Sequence, residues 1–76
     1  MKIKILGTGC SSCRKLEEHV REAVSEMGID AEIEKVEDLM AIMAYGVMQT
    51  PALVVDGVVK VSGKVPAVDE IKRLLA

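Results

Sequence analysis

The chain has 76 residues, 50% of them hydrophobic, with a formal net charge of -2 and Tyr45 as its single aromatic residue. That length sets one domain, residues 1–76, with a small core that must be built from aliphatic side chains. Scattered Lys and Arg without stacking aromatics exclude nucleic acid as a partner, and no apolar run approaches the roughly 18 residues of a membrane span.

Lys2–Leu6 alternates charged and apolar residues and predicts a strand with Ile3 and Ile5 on one face. Gly7-Thr8-Gly9 reads as a turn. From Ser11 to Met27 the apolar positions Leu16, Val20, Ala23, Val24 and Met27 form one helical stripe, which Gly28 ends. The stretch IDAEIEKVE sets Ile29, Ala31 and Ile33 against acidic residues, a strand with one wet face at a sheet edge. EDLMAIMAYG places Leu39, Ile42 and Met43 at helical spacing, with Asp38 as cap and Gly46 as stop. Asp56-Gly57 between two β-branched runs is a hairpin of type I′. Finally Val68, Ile71, Leu74 and Leu75 share a helical face, with Pro66 near its start and Lys72 and Arg73 near its end. The order is strand, helix, strand, helix, strand, strand, helix.

The only two thiols, Cys10 and Cys13, stand three residues apart where the first strand gives way to the first helix. The opening MKIKILGTG lacks the apolar core and cleavage site of a secretory leader, so the chain is expected to be cytoplasmic, where thiols stay reduced. Residues three apart on a helix have Cβ atoms about 5–6 Å apart, and a disulfide spans Cα separations of about 4.4–6.8 Å. The two sulfurs can therefore bond and part without unfolding. A helix N-terminus favours an anion, and such settings lower a thiol from about 8.5 into the range of about 3.5–7.5. Arg14 and Lys15 add positive field. Cys10 is thus assigned as the exposed nucleophile and Cys13, one turn in and more buried, as the resolving thiol.

Other uses of the pair compete with this one. A structural staple is weak, because so short a loop constrains the unfolded chain little. A four-ligand zinc site lacks ligands within one chain, since His19 lies on a different helix face and there is no second thiol pair. Copper(I) or another soft metal held by Cys10 and Cys13 is the serious alternative. GTGCSSC also resembles the metal-binding loop of small copper chaperones, but those domains continue strand-strand-helix-strand after the first helix, and this chain does not.

A second motif, Thr50-Pro51, precedes a strand of buried type, ALVV. Taken together, Thr8-Gly9-Cys10-Ser11-Ser12-Cys13, Thr50-Pro51 and VVDGVVKVSG make the chain resemble the small glutaredoxin-like, thioredoxin-like redox-active disulfide proteins of archaea and bacteria. The resemblance covers the whole chain. It implies an α/β thioredoxin-like fold of order β-α-β-α-β-β-α, a four-stranded mixed sheet with helices on both faces and a right-handed first crossover. It implies a thiol-disulfide oxidoreductase in electron transport, with no cofactor beyond the redox-active Cys10–Cys13 disulfide. A cis peptide at Thr50-Pro51 is implied beside the cysteines, where the Thr50 backbone pairs with an extended substrate; Gly9, Ser11, Ser12, Thr50 and Pro51 make the substrate-binding set. Implied partners are disulfide-bearing proteins and a reductase, engaged by a monomer.

The sequence departs from the usual thioredoxin pattern at Gly9 and at Ser11-Ser12, which stand in place of Trp and Gly-Pro, and no buried acid is evident beneath the cysteines. Ser11 and Ser12 suit helix capping as well as bonding to a Cys10 thiolate. His19 is expected at the helix boundary rather than as a base. Met40, Met43 and Met48 are expected to fill gaps in the core or line a groove, with Met48 and Tyr45 edging a substrate surface.

Overall fold

The computed structural model describes residues 1–9 and 11–76. Its elements run β1 (Lys2–Leu6), α1 (Ser11–Met27), β2 (Glu32–Val36), α2 (Leu39–Ala44), β3 (Ala52–Val55), β4 (Val58–Ser62) and α3 (Val68–Leu75), in the order expected. The four strands form one mixed sheet, β2-β1-β3-β4. β1 runs parallel to β2 and antiparallel to β3, and β4 is antiparallel to β3.

Side-chain alternation divides the sheet into two apolar layers. Ile3, Ile5, Leu53, Val55 and Val61 meet Leu16, Val20 and Ala23 of α1 and Ile71 and Leu75 of α3. On the opposite face Leu6, Ala52 and Val54 meet Ile42 of α2 and Val47. Central β3 is buried along its whole length because it serves both layers.

Edge strand β2 begins at Glu32 rather than Ile29. Its ladder starts opposite Lys2, the first residue of β1, so Ile29 and Ala31 have no strand to pair with. They keep the alternating pattern and pack half-buried against the α1 and α3 layer. The hairpin turn is as read: Asp56 (φ 49°) and Gly57 (φ 84°) both have the positive φ of type I′. Asp56 also bonds the start of β1: its N–H donates to the Lys2 carbonyl, and its carboxylate accepts from the Lys2 N–H, both at 2.8 Å.

The second helix corrects the sequence reading. Asp38 does cap it, accepting from the Met40 N–H at 3.2 Å. Of the expected apolar stripe only Ile42 is buried, while Leu39 and Met43 are 61% and 62% exposed. Six residues make fewer than two turns, so one side chain reaches the sheet and the flanking positions face away. Met40 and Met48, at 76% and 94% exposed, are not core fillers either.

Candidate active site

Of the residues singled out by sequence, Cys10 lies outside the described residues. Cys13 is buried in the first turn of α1. Helical side chains lean toward the N-terminus, which directs the Cys13 sulfur back to the end of β1. There it meets Gly7. A Cβ placed on Gly7 would overlap Cys13 Sγ, would lie 3.2 Å from Cys13 Cβ, and would stand 4.0 Å from Pro51 Cα. Two motifs some forty residues apart in sequence therefore converge on one point at the end of β1.

The Thr50–Pro51 peptide bond is cis. Thr50 is exposed and Pro51 is buried. The loop carrying them is held by the end of β4: the Gly63 N–H donates to the Pro51 carbonyl at 2.9 Å, and Ser62 Oγ donates to the Gln49 carbonyl at 3.4 Å. Gln49 packs so closely on Gly63 that a Cβ at position 63 would lie 3.0 Å from Gln49 Cβ. Gly9 (φ 82°), Ser11 and Ser12 are exposed at the mouth of α1.

The electrostatics are simple. No charged or polar residue is buried among the described residues. A carboxylate borders the loop: Glu37 Oε2 lies 3.6 Å from the position a Gly9 Cβ would take. His19 stands apart as a tether: its Nδ1 is 2.9 Å from the Pro66 carbonyl, which can only accept, so Nδ1 donates. Tyr45 is occupied in packing. Its hydroxyl accepts from Lys4 Nζ at 3.0 Å, and that bond raises the Lys4 pKa above its ordinary value. No group of three or more His, Cys, Asp or Glu among the described residues is arranged to hold a metal.

Sequence reasoning missed Gly7, Glu37 and the brace made by Gln49, Ser62 and Gly63. Gly7 carries a visible signal, a glycine directly after a strand, but by sequence it reads as part of the turn that follows. Contacts between residues as distant as Gln49 and Gly63 leave no mark in local periodicity.

A family model described as a thioredoxin domain matches residues 1–76. The chain is 49% identical over 76 residues to a thioredoxin of Methanothermobacter thermautotrophicus, covering 100% of this chain and 99% of that protein. It is 48% identical over 73 residues to a thioredoxin of Methanocaldococcus jannaschii, covering 96% of this chain and 84% of that one. With the element order, the mixed sheet and the approach of Cys13 and Pro51 to Gly7, these likenesses have one reading: the chain belongs to the thioredoxin domain family, as a small thioredoxin-like oxidoreductase.

Proposed function

We propose that the chain exchanges disulfides with partner proteins through Cys10 and Cys13. Cys10 attacks one sulfur of a partner's disulfide and releases the other as a thiolate. Cys13 then attacks the Cys10 sulfur of the mixed disulfide, forms the Cys10–Cys13 bond and frees the partner's second thiolate. Two electrons pass to the partner, the two protons leave the chain's thiols, and a reductase restores the dithiol. No further cofactor takes part.

The observation that carries this reading is the position of Cys13: buried in the first turn of α1, with its sulfur against Gly7, on which Pro51 also borders. A resolving thiol should be shielded from outside attack yet adjacent to the surface where the mixed disulfide forms. Exposed Thr50 precedes Pro51 there, and its peptide groups are proposed to pair with an extended segment of the partner, beside Gly9, Ser11 and Ser12. The soft-metal carrier gains no comparable support, because the strand-strand-helix-strand continuation of that family is not the order observed.

The test follows reduction of a protein disulfide by Cys10→Ser and Cys13→Ser variants. Cys10→Ser should lose turnover, whereas Cys13→Ser should accumulate mixed disulfides with its partners. Dithiol turnover retained by Cys10→Ser would overturn the assignment.

A further inference from the structure

We infer that Gly7 is a positioning residue for the resolving sulfur: its missing side chain is the space in which Cys13 Sγ sits. The inference rests on the role proposed for Cys13 and adds the residue that sets where its sulfur lies.

Glycine has two uses, backbone freedom and close approach. The chain has six glycines, and five of them, Gly9, Gly28, Gly46, Gly57 and Gly63, adopt positive φ. Gly7 alone does not, so an alanine could take its backbone conformation without strain. What an alanine could not do is fit. Its methyl would occupy the volume of Cys13 Sγ and press on Cys13 Cβ at 3.2 Å, with Pro51 Cα behind at 4.0 Å.

Neither side can retreat easily. The Gly7 N–H donates to the Val36 carbonyl at 3.0 Å, which ties this backbone to β2. Cys13 belongs to a 17-residue helix whose Leu16, Val20 and Ala23 are fully buried, so the helix start cannot lift alone. The sulfur must swing instead, and helix sterics leave it few rotamers.

The second exchange needs Cys13 sulfur in line with the bond it breaks. Displacing a reacting atom by about 1 Å can cost about a hundredfold in rate. The first exchange, made by Cys10, does not use that sulfur. Gly7→Ala should therefore separate the two steps.

A chromogenic aromatic disulfide reads both steps in a single turnover. Attack by Cys10 releases one coloured thiolate, and closure of Cys10–Cys13 releases the second. Gly7→Ala should leave the first phase within about twofold of the parent and slow the second about tenfold or more. Unchanged phases, or an equal fall in both, would overturn the inference.

Thermal unfolding of the reduced proteins supplies a measurement independent of the chemistry. Gly7→Ala should lower the midpoint when Cys13 is present and do so much less in a Cys13→Ala background, where the methyl has room. An equal penalty in both backgrounds would place the clash with backbone rather than sulfur and overturn the inference, even if Gly7→Ala alone folds poorly. A parent protein lacking the second phase would refute the role of Cys13 instead, and the unfolding cycle would still report on the contact.

Discussion

Around the first turn of α1 the chemistry depends on small differences in what stands beside each atom. Glu37 places a carboxylate against Gly9, the residue preceding Cys10. Gly9 itself stands at φ 82°, where a Cβ is disfavoured, so Gly9→Ala should destabilise the fold by about 1 kcal/mol, read as a lower denaturant midpoint. Glu37 was invisible as a neighbour of Gly9 because it lies just past the end of β2, some twenty-eight positions from Gly9 in sequence. The pair Cys10 and Cys13 needed no tertiary information to be singled out, since two lone thiols three apart between a strand and a helix pattern are a local signal.

Among the elements, those with regular periodicity were readable and the short one was not. The hairpin announced itself in Asp56-Gly57, whose positive φ values suit a two-residue turn. Gly57→Ala should destabilise the fold by about 1 kcal/mol or somewhat more, because a Cβ is disfavoured at φ 84°. Denaturant unfolding should show a lower midpoint with an unchanged slope. α2 is the counter-case. Its Leu39, Ile42 and Met43 spacing promised a buried stripe, but a helix shorter than two turns presents only Ile42 to Leu6, Ala52 and Val54. Periodicity over so few residues defines a face poorly, and only the height of the helix above the sheet decides how many side chains reach it.

The molecule as a whole is held by two apolar layers and a perimeter of ion pairs joining elements that alternation alone would leave loose. Ile71 is fully buried between α3, α1 and the sheet, so Ile71→Ala should cost about 2–5 kcal/mol. Met40→Gln, at an exposed position of α2, should stay within about 0.5 kcal/mol of the parent. Glu17 joins Arg21 at 2.8 Å and reaches Lys35 of β2 at 3.3 Å, and Glu26 of α1 pairs with Lys72 of α3. The Arg21 hydrogen bond holds the Glu17 pKa below its ordinary value of 4.5, and the Lys72 hydrogen bond does the same for Glu26. A depressed carboxylate stabilises the fold above its unfolded pKa and ceases to as pH falls through its folded one. The thermal midpoint should therefore be flat through neutral pH and fall below about 4.5, with the fall reduced in Glu17→Gln. These pairs are exposed, so the effect is modest and shrinks with salt.

What the residues determined by themselves was everything local: the order of elements, the tight turn, the paired thiols at a helix start, and the apolar faces of α1 and α3. Each follows from spacing along the chain, because a helix or strand repeats its geometry every few residues. What only the tertiary structure decided was which distant groups meet: Gly7 under the Cys13 sulfur, Pro51 beside Gly7, and Gln49 against Gly63. Those contacts arise from the packing of β1, β3 and β4 side by side with α1 above them, and a contact made across a sheet has no period to read.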